Sequence, residues 1–205
     1  HQFAWPGTEL IREVVDPGGV ALTTTYDYYT VSSEIGKFTR LKSVTQPNGS
    51  WEKYDYDTIG NRILVLRPWK DQALATATEA NSHAIRTTYS NYDGWETALD
   101  AKFISSIEEK VAGSTIRKTT YSRTGVTVNG QPALAESETV YSSASASLTT
   151  ITTKYHSTAS DFLTGRVASV QYPDGRLDIA EGFYERSAPS RYINALARSA
   201  GGTRL

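Results

Sequence analysis

Cysteine and methionine are both absent from this chain of 205 residues. Without cysteine the protein can form no disulfide, no thiolate nucleophile and no cysteine-ligated zinc site. The lack does not fix the compartment, because a protein of a reducing compartment and an exported bacterial protein are both compatible with it. Without methionine the sequence does not begin at its own start codon, so we expect a processed protein or a segment of a longer polypeptide.

Two further features are missing: an excess of charge of one sign and a long apolar run. The 21 basic residues nearly balance the 22 acidic residues, and the net charge is -1. The basic residues form no patch of the kind that binds nucleic acid or anionic lipid. No apolar stretch approaches the roughly 18 residues that a membrane helix requires. We therefore expect neither a nucleic-acid partner nor membrane insertion.

What the sequence does contain is turn signals, which are spaced along most of its length. Glycine and asparagine tolerate positive φ, and proline fixes its own φ, so these residues together close β-hairpins. The signals are Asp16-Pro17-Gly18-Gly19, Pro47-Asn48-Gly49, Ile59-Gly60-Asn61, Asp93-Gly94, Ala112-Gly113-Ser114, Asn129-Gly130 and Pro173-Asp174-Gly175.

β-Branched and aromatic residues fill the stretches between those turns, often in alternation with polar residues. This alternation is typical of half-buried strands, whereas helical periodicity is weak. The predicted strands are Val20–Tyr29, Ser50–Tyr56, Ile85–Tyr89, Ile116–Tyr121, Val126–Val128 and Leu148–Tyr155. The alanine-rich segment 71–83 permits a short helix or a strand. The Ser/Thr-rich segment 142–153 has the composition of a linker, but its second half alternates like a strand.

One hairpin pattern recurs along the chain, which indicates a repeat protein. The recurring sequences are Val44-x-x-Pro47-Asn48-Gly49, Val170-x-x-Pro173-Asp174-Gly175 and, more weakly, Val14-x-x-Pro17-Gly18-Gly19. Pro17 and Pro47 are 47 − 17 = 30 residues apart, which fits one hairpin and its link to the next. A lone hairpin of this size cannot bury its inner face, so the copies must stack on one another.

These residues resemble the YD repeats of the Rhs family. The matching segments are Gly36-x-x-x-x-Leu41-x-Ser43-Val44-x-x-Pro47-Asn48-Gly49, Tyr54-x-Tyr56-Asp57-x-x-Gly60-Asn61-Arg62 and Gly165-Arg166-Val167-x-Ser169-Val170-x-x-Pro173-Asp174-Gly175, with a weaker copy that includes Tyr26-Asp27. The resemblance implies hairpins that spiral into a large hollow β shell, secreted or displayed at the cell surface. In bacterial members of the family the shell encloses a C-terminal toxin, and animal relatives act in cell adhesion.

The pattern and the resemblance together predict an all-β protein of stacked antiparallel hairpins that form a curved, spiralling repeat sheet. We treat residues 1–205 as one domain, with its clearest repeats at 12–62 and 160–185 and a divergent region at 71–160. The chain is too short to close a shell, so we expect it to pair with another copy or with the rest of a parent chain. The expected function is that of a structural, non-enzymatic segment of a bacterial extracellular assembly, without a cofactor.

The Tyr-Asp pairs carry the first candidate chemistry. Asp55 and Asp57 are two residues apart, so on a strand both carboxylates would share one face and could act as an acid–base pair or bind a cation. Tyr54 and Tyr56 would share the opposite face. In the structural alternative the tyrosines pack inward and one aspartate caps the turn at 58–61. We favour that alternative, because otherwise every repeat would need its own active site.

The tryptophans give the second candidate, a surface that binds sugars. Exposed indole rings on a β surface can stack on the faces of sugars, and Trp51, Trp69 and Trp95 are the candidate glycan-binding residues. The alternative is that these large rings fill the core between stacked hairpins. A carbohydrate-binding module is therefore the second functional hypothesis.

Patterns for other kinds of chemistry are weak in this sequence. The three histidines, His1, His83 and His156, have no metal-ligand partner at the usual spacing, so we expect no metal site. No nucleophile elbow, Walker loop or dinucleotide-binding pattern stands in a convincing context. Asn48-Gly49-Ser50 matches a glycosylation acceptor, although a role in the turn explains it.

Overall fold

The computed structural model describes residues 2–4, 9–91, 102–142, 146–155, 165–184, 192–200 and 203–204. Within these ranges the protein is all-β, with fifteen strands and one short 3-10 helix at Leu74–Thr76. This architecture confirms the predicted fold class of stacked antiparallel hairpins. In the described part of the chain, no helix is long and apolar enough to span a membrane.

Strand neighbours in the sheet follow the order of the chain from β1 to β15. The strands are β1 (Gln2–Ala4), β2 (Arg12–Val15), β3 (Leu22–Tyr28), β4 (Leu41–Thr45), β5 (Trp51–Tyr56), β6 (Arg62–Arg67), β7 (His83–Asn91), β8 (Lys102–Val111), β9 (Ser114–Val128), β10 (Gln131–Tyr141), β11 (Ser147–Tyr155), β12 (Val167–Gln171), β13 (Leu177–Tyr184), β14 (Tyr192–Ala200) and β15 (Thr203–Arg204). Every pair with a described register is antiparallel. Consecutive strands with a described register therefore pair as hairpins.

Residues at positive φ form the tight turns between two further pairs of neighbouring strands, where the sequence predicts turns. Ala112 and Gly113, between β8 and β9, have φ values of 47° and 81°. Asn129 and Gly130, between β9 and β10, have φ values of 50° and 75°. Positive φ at both central residues marks the type I′ turn, whose twist matches that of the flanking strands. The predicted turn at 93–94 lies outside the described residues.

The boundaries of one strand differ from the prediction. Separate strands at Ile116–Tyr121 and Val126–Val128 were expected, but β9 runs without interruption from Ser114 to Val128. The polar residues in its middle are accommodated by pairing, since the Arg123 guanidinium lies 2.8 Å from a carboxylate oxygen of Glu136 on β10. By contrast, β11 begins at Ser147, which confirms the strand predicted in the second half of segment 142–153.

The alanine-rich segment 71–83 forms neither the helix nor the strand that its sequence permits. Apart from the 3-10 helix and the first residue of β7, it consists of turns and irregular backbone. The Asn81 side chain holds this conformation, because its Oδ1 accepts from Thr78 N at 2.7 Å and its Nδ2 donates to Thr76 O at 3.0 Å. Side-chain bonds to the backbone compete with helix and strand formation in this way.

The chain divides into two compact units, and the boundary between them falls within β7, β8 and β9. Unit 1 comprises His1–Tyr89 and Ser106–Lys118, and unit 2 comprises Ser90–Ser105 and Thr119–Leu205. That residues 1–205 form one domain stays a prediction.

Each unit has its own hydrophobic cluster. In unit 1, residues 68–82 connect β6 to β7 and form a strap that packs on the sheet. The unit 1 cluster consists of Trp51, Leu66, Ala77 and Ala84, with Leu64 and Leu74 packed against it. The unit 2 cluster consists of Ala133, Tyr155 and Ala168, with Val126 and Val128 packed against it. These residues come from neighbouring strands, so the clusters join hairpins that could not bury a face alone.

Candidate functional site

Two turns that lie 173 − 47 = 126 residues apart have the same geometry. Each is closed by two backbone hydrogen bonds of 2.8 to 3.0 Å. The bonds are Gln46 N to Ser50 O, Gly49 N to Gln46 O, Tyr172 N to Arg176 O and Gly175 N to Tyr172 O. The two glycines have φ values of 81° and 82°, a region that other residues rarely adopt. The predicted turns at Pro47-Asn48-Gly49 and Pro173-Asp174-Gly175 are therefore confirmed.

The side chain after each proline completes the turn in the same way. Asn48 Oδ1 accepts a hydrogen bond from Ser50 N at 3.0 Å, and Asp174 Oδ1 accepts one from Arg176 N at 3.0 Å. Asparagine and aspartate favour this contact with the backbone two residues on. The Ser50 hydroxyl also donates to Asn48 Oδ1 at 2.8 Å. These side chains hold the turn in shape.

The strands on both sides of these turns repeat with the same register. We call residues 25–53 the first copy and residues 151–179 the second copy. Equivalent pairs are Thr25–Thr45 and Ile151–Gln171, Tyr26–Val44 and Thr152–Val170, Asp27–Ser43 and Thr153–Ser169, Tyr28–Leu41 and Lys154–Val167, and Ser43–Lys53 and Ser169–Ile179. β11 is the eighth strand after β3, which corresponds to four hairpins, so the spacing averages 126/4 = 31.5 residues per hairpin, close to the predicted period.

An irregularity in strand pairing follows the aspartate of each Tyr-Asp-Tyr motif. The register shifts between Asp27 and Tyr28 and again between Asp55 and Tyr56. In the second copy the register of β11 shifts at the equivalent step. Such bulges increase the local twist and redirect the side chains that follow them. The Tyr-Asp motif therefore coincides with a repeated irregularity in strand pairing.

In each Tyr-Asp-Tyr motif, the tyrosine after the register shift bonds to a backbone carbonyl at or just before the start of the preceding strand. The Tyr28 hydroxyl donates to Leu10 O at 3.0 Å, and the Tyr56 hydroxyl donates to Leu41 O at 2.8 Å. Both rings are half-buried. A hydroxyl that satisfies a carbonyl beside the sheet stabilises the hairpin, since an unpaired buried acceptor costs about 1–3 kcal/mol. This arrangement supports the structural interpretation of the tyrosines.

Asp57 caps the turn that follows β5. Its Oδ1 accepts from Ile59 N at 3.0 Å and from Asn61 N at 2.9 Å, and its Oδ2 accepts from Asn61 Nδ2 at 3.1 Å. Gly60 completes the turn with a φ of 90°. The predicted cap is confirmed. β5 ends at Tyr56, so Asp57 lies beyond the strand and does not share a strand face with Asp55, as an acid–base pair on the strand would require.

Asp55 has different partners. Its Oδ1 lies 2.6 Å from the Lys37 ammonium and accepts from Tyr56 N at 2.9 Å. The nearby Tyr29 hydroxyl donates to Tyr54 O at 2.9 Å, and burial, followed by the charge of Asp55, raises the pKa of Tyr29 to about 12. The two aspartates bind different backbone groups and different side chains. Their geometry therefore supports the structural alternative over an acid–base pair.

The structure places the tryptophans in different environments. Trp51 is only 5 % exposed, and its Nε1 donates to Gln72 O of the strap at 2.9 Å. This corrects its assignment as a candidate glycan-binding residue, because a ring inside the unit 1 cluster offers no face to a sugar. Trp69 is 42 % exposed and remains a candidate. Trp95 and Trp5 lie outside the described residues.

A charged cluster that the sequence did not reveal surrounds Tyr54 on β5. Arg67 Nε donates to Glu52 Oε1 at 2.7 Å, and the Tyr54 hydroxyl donates to Glu52 Oε2. The bond from Tyr54 lowers the pKa of Glu52, and burial together with Glu52 raises the pKa of Tyr54 to about 12. Glu52 and Tyr54 lie two residues apart on one strand, and this spacing was the only feature of the sequence that could have predicted their contact. The pairing of Arg67 with Glu52 could not be predicted, because it depends on the register between β5 and β6.

A second charged cluster fixes the strap to the strands of unit 1. Glu79 receives hydrogen bonds from Arg86 on β7 and, at 2.7 Å, from Lys110 on β8. The bond from Arg86 is the largest cause that lowers the pKa of Glu79 to about 2. Glu108 extends the cluster, since it lies 3.2 Å from Lys110 and 2.8 Å from Lys118. No spacing in the sequence indicates these pairs.

Beside the strap lies a groove of about 410 Å³ on the sheet of unit 1. Its lining consists of Asp27, Lys42, Ser43, Lys53, Leu74 and Ala75. The Lys42 ammonium lies 3.3 Å from Asp27 Oδ2, and the Lys53 ammonium donates to Ala77 O at 3.3 Å. Asp27, Ser43 and Lys53 occupy one row across three strands, because they are consecutive cross-strand partners.

Within the described residues, the histidines form no metal site. His83 Nε2 lies 2.8 Å from Glu109 Oε1, while His1 and His156 fall outside the described part of the chain. Among the described residues, no group of three or more histidine, aspartate or glutamate side chains could hold a metal ion. Comparison with protein-family models and with curated proteins finds no match to this chain.

Proposed function

We propose that this chain is a structural segment of an extracellular YD-repeat assembly, in which stacked hairpins form a wall. The observation that carries the proposal is the pair of copies 126 residues apart. Register, bulge and turn recur in both copies, although most side chains differ between them. A repeated frame with variable side chains is typical of a repeat architecture, in which each unit is stabilised by its neighbours.

The contacts of the motif residues support the same proposal. In unit 1, Tyr28, Tyr56 and Asp57 bond to the backbone of neighbouring strands and turns. These groups are occupied in holding hairpins together, whereas a catalytic site needs groups that converge on a reacting atom. The resemblance to the Rhs family extends the proposal to a bacterial secreted or surface protein whose full-length shell encloses a toxin.

The ends of the strand order suggest how such a segment continues. β1 is a strand of three residues at one end of that order, and it pairs with β2. A strand in that position can pair through its outer edge with a further strand. We propose that this strand comes from another copy of the chain or from the rest of a parent chain.

Sedimentation velocity over a wide range of concentrations tests whether the chain assembles through this edge. We expect association that increases with concentration, and Phe3→Lys, a change on β1, should weaken it because edge lysines oppose strand pairing. The matched control is Val20→Lys in the turn between β2 and β3, where the exposed valine is not part of a strand. A monodisperse monomer at the highest concentration would contradict self-assembly.

Glycan binding is the second candidate function, and the exposure of Trp69 favours it. The burial of Trp51 weakens it, since a sugar platform usually presents more than one ring. A glycan array probed with the protein and with Trp69→Ala distinguishes the two functions. Binding that is lost in the variant would support a carbohydrate-binding module, and a blank array would leave the structural function.

A further inference from the structure

The groove of unit 1 contains charged side chains that the repeat itself does not require. Its residues Asp27, Lys42, Ser43 and Lys53 belong to the first copy, and an offset of 126 gives their equivalents in the second copy. The equivalents are Thr153, Ala168, Ser169 and Ile179. The serine is kept, whereas all three charged residues are replaced by uncharged ones. In the second copy Thr153 and Ala168 are 9 % and 3 % exposed, so the frame packs well without the charges.

The charged groups of the groove retain capacity for a ligand. An ammonium group has three donors, and the described polar contacts use one donor each, from Lys42 to Asp27 and from Lys53 to Ala77 O, both at 3.3 Å. The Lys42 ammonium also lies 5.9 Å from the centroid of the Tyr29 ring. The side chains of Lys42 and Asp27 are 44 % and 59 % exposed. Two lysines against one aspartate leave a net charge of +1 in the lining. The groove therefore favours a small anion over a cation.

The rest of the lining narrows the class of ligand. A volume of about 410 Å³ lies within the range of about 300–1,000 Å³ that is common for small-molecule sites. Leu74 and Ala75 of the strap give an apolar wall on one side. Ser43 adds a hydroxyl from a residue that is 7 % exposed, and Asp27 adds a carboxylate that accepts from hydroxyl groups.

From this lining we propose that the groove binds a sugar that carries one carboxylate. Lys42 and Lys53 bind the carboxylate, Asp27 and Ser43 bind ring hydroxyls, and the C–H face of the ring packs on Leu74 and Ala75. The groups come from three strands and the strap of unit 1, whose positions are fixed by strand pairing and by the hydrogen bond from Trp51 to Gln72. This site is independent of the proposed wall function, because the frame forms without it in the second copy.

Titration of the full chain with glucuronate, followed by amide chemical shifts in NMR, tests the site. We expect saturable shifts at Ser43, Lys53 and Ala75. Glucose, which has the ring without the charge, and acetate, which has the charge without the ring, should each bind at least about tenfold more weakly, as expected when charge-assisted bonds or ring contacts are lost. Equal affinity for all three probes, or no shift at the groove with glucuronate, would overturn the proposal.

The second copy supplies fold-compatible variants. Lys42→Ala and Lys53→Ile introduce the residues found at the equivalent positions, so the double variant should keep its dispersed amide spectrum and lose about tenfold or more in affinity for glucuronate. The matched control neutralises two exposed arginines of unit 1 outside the groove, Arg12→Gln and Arg117→Gln, and should bind as the parent does. If the double variant loses its fold, the affinity of the single variant Lys42→Ala for glucuronate is measured instead. Unchanged affinity in the folded variant would refute the site.

Discussion

Two glycines of unit 1 have the same φ but different surroundings. Gly36 and Gly49 both have a φ of 81°. A Cβ atom on Gly36 would lie 2.2 Å from the backbone oxygen of Asp57, whereas a Cβ atom on Gly49 would meet nothing within 4 Å. The first glycine is therefore required by a close approach of two loops, and the second is required only by its turn.

Alanine substitutions separate these two requirements. We expect Gly49→Ala to reduce the free energy of unfolding by about 1–2 kcal/mol, the cost of a left-handed residue with a side chain. Gly36→Ala carries the same cost and also displaces the backbone of the turn at 57–58, so its loss should exceed about 3 kcal/mol. Urea denaturation of both variants measures the difference, and equal losses would show that the two loops do not touch.

The ion pairs of Glu79 predict how stability depends on pH. The pKa of this carboxyl falls from its ordinary value of 4.5 to about 2 in the folded protein. A lowered pKa in the folded state contributes stability that is complete above pH 4.5 and is lost as the pH falls toward 2. Glu79→Gln should therefore be less stable than the parent at neutral pH, and the difference should shrink between pH 4.5 and 2.

Chemical denaturation at several pH values follows this difference. The exposed Glu138 of unit 2 provides the control, since Glu138→Gln should change stability little at neutral pH. A Glu79→Gln variant whose deficit is the same at every pH would show that the carboxylate charge does not hold the strap.

At the scale of elements, the strap depends on one tryptophan. Trp51 contacts the strap through its buried ring and through the bond to Gln72 O. Trp51→Phe removes that bond and leaves a smaller ring, so we expect a loss of about 1–3 kcal/mol. The half-exposed Trp69 is the matched control, and Trp69→Phe should cost less than about 0.5 kcal/mol. Thermal unfolding measures both, and equal losses would contradict the role of Trp51.

The two repeated turns should be interchangeable. We expect the free energy of unfolding to change by less than about 1 kcal/mol when Gln46–Ser50 and Tyr172–Arg176 are exchanged, because their backbone bonds and glycine conformations are the same. The contact of the Arg176 guanidinium with the Tyr172 ring, 3.9 Å from its centroid, moves with the segment. Failure of the exchanged protein to unfold cooperatively would show that the flanking strands, and not the turn, set the conformation.

The sequence predicted the elements whose conformation is decided locally. Turns such as Pro47-Asn48-Gly49 need particular φ values, and alternation on β5 and β11 reports a half-buried strand, so both are visible in the residues themselves. The strap and the charged clusters were not predictable, because the conformation around Asn81 and the pairing of Glu79 with Lys110 depend on contacts distant in sequence. The groove was missed because its residues meet only when the register of three strands is known.

At the scale of the whole molecule, the sheet adds strands in the order in which they occur in the chain. A strand at the end of that order has fewer neighbours to hold its backbone than one in the middle. We expect hydrogen exchange, at a concentration too low for association, to be faster at the amides of β1 than at those of β5 and β6 in the same unit. Protection of β1 equal to that of β5 under these conditions would contradict the expectation.

This order of strands also has a kinetic consequence. Because each described strand pairs with its neighbours in sequence, the contacts close short loops, and topologies of that kind fold faster than sheets built from distant segments. A chain that emerges gradually, from a ribosome or through a secretion channel, presents every new strand next to a partner that is already in place. Such a protein can assemble vectorially, one hairpin at a time, without waiting for its C-terminus.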